Sequence, residues 1–129
     1  MINKVILVGR VGGAPDIRTI SKDGRKAAQF SLATSEKHKD RSGEWQEATE
    51  WHNVVCFDKT AETCEAYLSK GMLIYVEGKL RTREWADRNG DKRRTTEVVA
   101  STVRFLDKKE GAGRKAVQGA QDEGEDLPF

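Results

Sequence analysis

The sequence has little of what most enzymes and membrane proteins need. Only two histidines occur among its 129 residues, His38 and His52, and neither has the spacing of a metal site or a catalytic triad. No apolar run approaches the roughly 20 residues of a membrane helix, and no small-residue cleavage site follows the first ten residues. The sequence therefore predicts no enzyme, no metal or other cofactor and no membrane partner.

Cysteine is also scarce. Cys56 and Cys64 are too far apart in sequence to form a Cys-x-x-Cys pair, and the chain has no other cysteine. This usage is typical of a reducing, cytoplasmic setting. Cys56 lies inside a strand-like run, so we expect it to serve as a small apolar residue.

Charge is abundant and unevenly distributed. Lys and Arg number 23 and Asp and Glu number 21, which gives a formal net charge of +2. Four of the acids and none of the basic residues fall in the last nine positions, so residues 1–120 carry a net charge of +6. A basic body with an acidic end is typical of a protein that binds a polyanion and carries a separate tail.

The body is predicted to consist of β-strands separated by turns. One helical segment is predicted at about residues 60–70, with Gly71 as its C-cap. The order of three strands, one helix and two strands predicts an all-β OB-fold, a five-stranded Greek-key barrel with one short helix between the third and fourth strands. A generic small α+β sheet is the alternative. The predicted strands cover residues 3–11, 27–35, 49–57, 72–85 and 95–106, and the predicted hairpin turns are Asp23-Gly24, Ser42-Gly43 and Asn89-Gly90.

The chain changes character after the last predicted strand. We expect residues 1–106 to form the barrel domain and residues 107–121, rich in Lys, Gly and Ala, to form a disordered linker. Residues 122–129 form an acidic tip that ends in Asp126, Leu127, Pro128 and Phe129. An aromatic ring with a terminal carboxylate beside acids is typical of a peptide that other proteins dock. A solubilising tail with an incidental Phe is the alternative.

The tryptophans give the main functional signal. Trp45, Trp51 and Trp85 have polar neighbours rather than the apolar ones of a core. Trp51 and Phe57 are six residues apart on one predicted strand and therefore share a face, whereas His52 faces the other way as a hydrogen-bonded core or interface residue. Unpaired nucleobases stack on exposed aromatic rings, and basic side chains hold the phosphates between them. The set predicts a surface for single-stranded nucleic acid, and cross-strand clamping of each hairpin by its own tryptophan is the alternative.

Seven sequence blocks together resemble those of bacterial single-stranded DNA-binding proteins (SSB). They are NKVILVG (3–9), LATS (32–35), TEWHNVV (49–55), YLSKG (67–71), VEGKLRTREW (76–85), TTEVV (95–99) and DLPF (126–129). The resemblance implies an OB-fold homotetramer that binds single-stranded DNA irrespective of sequence. It also implies a cytoplasmic, nucleoid-associated protein that recruits replication, recombination and repair proteins through its tip.

The resemblance also implies roles for individual residues. The stacking aromatics of the family match Trp51, Phe57 and Trp85. Relatives often have Trp where this chain has His38; if the hairpin turns at Arg41-Ser42, His38 lies opposite Trp45, and we expect Trp45 to supply the missing stacking surface. The matching basic positions are Lys4, Arg41, Lys59, Lys70, Arg81 and Arg83, and the matching subunit contacts are Ile2, Lys4, His52 and Tyr75.

Two other functions stay open. An OB-fold RNA-binding protein or cold-shock-like chaperone would explain the barrel but not the tip. A protein–protein adaptor whose aromatic residues bind protein would show no salt-dependent affinity for DNA. DNA is preferred over RNA on the resemblance alone.

Overall fold

The computed structural model describes residues 1–107, which form six strands and one helix. These are β1 (Val5–Val11), β2 (Asp16–Thr19), β3 (Lys26–Lys39), β4 (Trp45–Phe57), α1 (Asp58–Tyr67), β5 (Leu73–Ala86) and β6 (Lys92–Phe105). Strands β4 and β6 pair in parallel, and the other pairs are antiparallel. Within residues 1–107, no helix is long and apolar enough to cross a membrane.

Five of the strands close into a barrel. They follow one another in the order β1-β5-β6-β4-β3, and β1 pairs back onto β3 to complete the ring. The predicted five-stranded barrel with one short helix is therefore confirmed. Strand β2, which the sequence analysis missed, pairs with the edge of β3. Counted among the five barrel strands, the helix lies between the third and the fourth, β4 and β5, as predicted.

The barrel interior is filled by alternate residues of its strands. Fully buried side chains contribute about 1.5–3 kcal/mol each through removal of apolar area from water. Helix α1 closes one end of the barrel with Ala61 and Cys64. The inward residues of the strands include Ala28, Phe30, Leu32, Val54, Cys56, Ile74 and Val76. The residues between them therefore face outward, and the exposed ones among them are available for a binding site.

Barrel closure depends on one glycine of β1. A Cβ atom at Gly9 would overlap the carbonyl oxygen of Ala33 on β3. At the next residue, Arg10, the pairing of β1 changes from β5 to β3, where Arg10 lies opposite Ala33. The missing side chain at Gly9 therefore allows the two strands to approach closely enough to complete the ring.

The β3–β4 and β5–β6 hairpins extend beyond the barrel as two exposed arms with matching turns. In the first turn, Asp40 Oδ1 accepts hydrogen bonds from the backbone N–H groups of Ser42 and Glu44, both at 2.9 Å. In the second, Asp87 Oδ1 accepts from those of Asn89 and Asp91 at 2.9 and 3.0 Å. Left-handed glycines complete both turns, with φ of +85° at Gly43 and +84° at Gly90. The predicted turns at these two places are confirmed.

The helix ends earlier than its predicted boundary. Leu68 caps α1 in an extended conformation, with its N–H bonded to the carbonyl of Cys64. Gly71 is therefore not the C-cap; it lies in the turn that leads to β5, with φ of +88°. Its N–H donates to the carbonyl of Val11 at 2.8 Å, which links this turn to β1.

The end of β6 is fastened to the barrel by Asp107. Its Oδ2 accepts a hydrogen bond from Arg10 Nη1 at 2.7 Å and another from the backbone N–H of Leu73 at 2.9 Å. Asp107, the first residue of the expected linker, is thus held by β1 and β5. The rest of that linker lies outside the described residues, as does the expected tip with Asp126, Leu127, Pro128 and Phe129.

Candidate nucleic-acid interface

Three aromatic residues form a row on the outward face of β4. Trp45, Trp51 and Phe57 are separated by six residues each, and the unbroken register with β3 keeps them on one face of the strand. At about 3.3 Å per residue, neighbours in this row are about 20 Å apart along the strand. We call these three residues the β4 aromatic row.

Trp51 is supported from one side and open on the other. Its exposed fraction is 63%. A Cβ atom placed on Gly12 would lie 2.7 Å from Trp51 Cζ3, so the indole ring lies against the backbone of the segment that follows β1. Ala33, the residue opposite Trp51 on β3, is small and leaves space on that side. The ring is therefore held in place while much of its surface is available for stacking.

Trp85 occupies the second arm. Its Nε1 donates a hydrogen bond to Thr95 Oγ1 at 2.9 Å, which fixes the ring across β5 and β6, and 43% of the residue is exposed. Arg81 and Arg83 precede it at alternate positions of β5 and share its face. An aromatic ring and two guanidinium groups therefore follow one another along this strand.

One buried carboxylate connects these arginines to each other. Glu97 on β6 is only 1% exposed, and it accepts hydrogen bonds from Arg81 Nε at 3.1 Å and Arg83 Nε at 3.2 Å. The guanidinium carbon of Arg81 lies 5.8 Å from the centre of the Phe57 ring, within cation–π range. The structure thus brings Phe57, Arg81 and Arg83, all predicted site residues, into one cluster.

Sequence analysis did not identify Glu97 as part of this site. A signal was present, because a hairpin centred on Asn89 places residue 97 opposite residue 81, and the structure has this register. An acid in the β-branched run TTEVV, opposite an arginine, indicates a cross-strand ion pair.

The predicted pairing of His38 with Trp45 is wrong. The register places Lys39 opposite Trp45 and His38 opposite Gln46. The physical reason is the Asp40 carboxylate, which binds the N–H groups of two turn residues and centres the turn on Ser42 instead of between Arg41 and Ser42. His38 therefore faces away from Trp45, and the side chain beside the indole is that of Lys39.

The other predicted basic residues are exposed and lie on separate parts of the barrel. Arg41 lies in the β3–β4 turn, Lys59 in the first turn of α1 and Lys70 in the segment before β5. Lys4, just before β1, forms an ion pair with Glu77 at 3.2 Å. None of the four belongs to the cluster around Glu97 described above.

Three of the predicted subunit contacts surround the start of β1. Glu77 accepts a hydrogen bond from the Tyr75 hydroxyl at 2.7 Å in addition to its ion pair with Lys4. This bond raises the pKa of Tyr75, while the bonds from Tyr75 and Lys4 lower the pKa of Glu77. Ile2 is almost fully exposed nearby. Ile2, Lys4 and Glu77 line one shallow groove. His52 lies on β4 instead, with its Nε2 2.8 Å from Thr34 Oγ1.

The outward face of β1 is apolar, which the sequence analysis did not use. Ile6 and Val8 are half exposed and pair with Glu77 and Tyr75 on β5. The run VILV at the start of β1 indicates an apolar outward face, because in a strand with one solvated face apolar residues alternate with polar ones.

The two cysteines belong to the core. Cys56 on β4 and Cys64 on α1 are fully buried, and their sulfur atoms are 3.7 Å apart. The expectation that Cys56 serves as a small apolar residue agrees with this placement. In the part of the chain that the structure describes, no group of three or more His, Cys, Asp or Glu residues could hold a metal ion.

Comparison with known proteins gives matches over most of the chain. The family model described as "Single-strand binding protein family" matches residues 2–106. Single-stranded DNA-binding protein 1 of Chlorobaculum tepidum is 44% identical over 113 residues, which cover 87% of this chain and 69% of that protein. The solved Plasmodium falciparum SSB complex with ssDNA has a TM-score of 0.75 and 41% identity, and the match covers 83% of this chain and 97% of that one. These matches confirm the resemblance found in the sequence: the chain belongs to the single-strand binding protein family.

Proposed function

We propose that this protein binds single-stranded DNA irrespective of sequence. The observation that carries the proposal is the outward face on which exposed aromatic rings lie next to anchored arginines. Trp51, Phe57 and Trp85 stack nucleobases, at about 1–3 kcal/mol per base, and every base offers such a π-face. Arg81 and Arg83 hold phosphates between the stacked bases. The names of the C. tepidum relative and of the P. falciparum complex support this ligand.

The β4 aromatic row suggests the path of the bound strand. Because Trp45 shares the face of Trp51 and Phe57, we infer that the DNA continues from the barrel onto the β3–β4 arm. His38 faces away from this row, so we assign it no stacking role. Further phosphate contacts along or beyond this path come from Lys4, Arg41, Lys59 and Lys70.

The proposed cellular role follows from DNA binding that does not depend on the base sequence. Such a protein protects any single strand that replication, recombination or repair exposes, and its place is the cytoplasm, at the nucleoid. We further propose that Asp126, Leu127, Pro128 and Phe129 recruit partner proteins. The acids offer charge to a basic site, and the terminal ring offers an apolar anchor.

We infer that the protein is a homotetramer and that the outward face of β1 forms part of the subunit interface. Ile6 and Val8 expose apolar surface there, beside the network of Lys4, Glu77 and Tyr75. Sedimentation equilibrium should give four times the 14.4 kDa of one chain, and Val8→Lys should lower that mass. A wild-type mass of one chain would overturn the tetramer.

A tryptophan-fluorescence titration tests the proposed function. Oligo(dT) should quench the emission strongly, and duplex DNA should have little effect because its bases are already stacked on each other. The affinity should fall with salt, with a logarithmic slope of about −0.7 for each phosphate neutralised. Oligo(U) is the comparison that tests for an RNA-binding protein. Absence of quenching by any nucleic acid would overturn the proposal and favour a protein-binding role for the aromatic residues.

A further inference from the structure

Two arginines of the β5–β6 arm share a single buried carboxylate. Glu97 accepts from the Nε atoms of Arg81 and Arg83 at 3.1 and 3.2 Å, and its own side chain is closed to solvent. The arginine side chains are themselves about half exposed. A carboxylate can be buried in this way because charged hydrogen-bond donors replace the water it has lost.

This contact restricts both arginines before any ligand arrives. A guanidinium group has five N–H donors, and only some of them are engaged with Glu97, so others stay available on the exposed side. Arg81 is restrained further by the Phe57 ring. Long flexible side chains lose conformational entropy when they bind a ligand, and a side chain that is already ordered loses less.

We propose that Glu97 is a positioning residue for DNA binding, which holds Arg81 and Arg83 beside Phe57 so that the phosphates next to a stacked base meet ordered guanidinium groups. The inference rests on the proposed function and deepens it. Glu97 touches no DNA itself, since it is buried beneath the two arginines.

The charge of Glu97 opposes this role, so the two effects must be weighed. A carboxylate near the DNA path repels phosphate and reduces the net charge of the three-residue group from +2 to +1. Solvent and salt screen this repulsion, with a Debye length of about 8 Å at physiological ionic strength. The ordering of the arginines is a matter of direct hydrogen bonds and is not screened in this way. We therefore expect positioning to outweigh repulsion at physiological salt.

The test compares two substitutions that remove the same charge from the same arm. Glu97→Gln keeps the size of the buried side chain. Glu84→Gln is the matched control, because Glu84 forms an exposed ion pair with Arg94 at 3.5 Å. Binding to oligo(dT) is measured at physiological salt, after thermal unfolding has shown that each variant is folded. We expect Glu97→Gln to weaken binding by about tenfold, the loss of roughly one charge-assisted hydrogen bond, and Glu84→Gln to leave it unchanged or tighten it.

A second comparison separates positioning from a purely structural role. In an Arg81→Ala, Arg83→Ala background, Glu97→Gln should not weaken binding further, because Glu97 favours binding only through those arginines. An equal loss in both backgrounds would overturn the proposal. If Glu97→Gln does not fold, the double variant Arg81→Lys, Arg83→Lys is measured in its place. It keeps both positive charges but lacks the planar guanidinium groups. The proposal then expects weaker binding by a double variant that thermal unfolding shows to be folded, and wild-type affinity would overturn it.

The two proposals fail in different ways. If the wild-type protein does not bind oligo(dT), the proposed function itself is wrong. If the wild type binds and Glu97→Gln matches Glu84→Gln, only the role of Glu97 is wrong.

Discussion

The ammonium nitrogen of Lys39 lies 5.3 Å from the centre of the Trp45 ring, directly across the ladder between β3 and β4. A cation over an exposed indole contributes about 0.5–1 kcal/mol. The contact orients the ring on an arm that has little core of its own, and it places a positive charge beside an exposed aromatic ring. Trp45 thereby has, at the end of the β4 aromatic row, the combination that Phe57 and Arg81 have nearer the barrel.

Replacing Trp45 with Ala should weaken binding to oligo(dT) by about 5- to 150-fold, the equivalent of one stacked base at about 1–3 kcal/mol. The fold should survive because Trp45 is 65% exposed. Fluorescence anisotropy of a labelled oligonucleotide gives the affinity without relying on tryptophan emission. His38→Ala is the control, since His38 lies on the other face of the same arm. Wild-type affinity in the Trp45 variant would remove this residue from the binding path.

Adding one methyl group at Gly12 should disturb Trp51. The new Cβ would lie 2.7 Å from Trp51 Cζ3 and 2.5 Å from Ser31 Oγ, too close for either contact. We expect Gly12→Ala to displace the indole, shift its emission maximum and weaken DNA binding. Gly13→Ala is the matched control, because a Cβ there meets no atom within 4 Å. If both variants bind DNA equally well, the position of Trp51 does not depend on Gly12.

The two arm turns should make stability depend on pH in the acid range. Hydrogen bonds from Ser42 and from the Glu44 amide lower the pKa of Asp40, and those from Arg93 and the Asp91 amide lower the pKa of Asp87. Because both folded-state pKa values lie below the unfolded value of about 3.9, the stabilisation is complete above that value and is lost as the pH falls through the folded-state values.

Substitution of Asp40 and Asp87 by Asn should therefore lower the unfolding temperature at pH 7 and have progressively less effect toward pH 2. Thermal unfolding followed by circular dichroism across this range measures the difference. A gap between variant and wild type that does not narrow on acidification would show that the carboxylate charges do not stabilise the turns.

The buried cysteines should be inert in the native protein. The hydrogen bond from Cys56 to Cys64 and the burial of both thiols raise the pKa of Cys56. Because both side chains are also closed to solvent, a thiol reagent should label neither cysteine at pH 8 and both in denaturant. Ser69→Cys, at an exposed position after α1, provides a reactive control. Rapid labelling of the native wild type would mean that α1 opens readily from the barrel.

Local sequence patterns predicted the hairpin turns, because the conformation of a turn depends mainly on the residues within it. Glycines in the three hairpin dipeptides have positive φ because only a residue without Cβ enters that region freely. Strand β2 was missed because DIRT is only four residues long and shows no apolar alternation. Its pairing with β3 comes from the tertiary structure rather than from its own propensity.

The sequence indicated the residue types of the candidate site but not the strand register that places them. The polar sequence neighbours of Trp51 and Trp85, the spacing between Trp51 and Phe57 and the family resemblance indicated these three residues without knowledge of the strand register. The partner of Trp45 depended on side-chain bonds of Asp40 that shift the turn by half a residue, and a sequence pattern does not show such bonds. Glu97 was missed for a similar reason, since burial of an acid depends on which cations the fold places opposite it.

The contacts of Asp107 fix where the described part of the chain ends on the barrel. Its bonds to Arg10 and Leu73 hold the start of the remaining 22 residues at one point of the barrel. A chain spans at most about 3.6 Å per residue, so Phe129 lies within about 80 Å of that point. If the proposed recruitment through the tip takes place, the partner protein must enter a sphere of this radius. Arg10, a residue of the first strand, therefore helps to fix the centre of the volume in which Phe129 can be found.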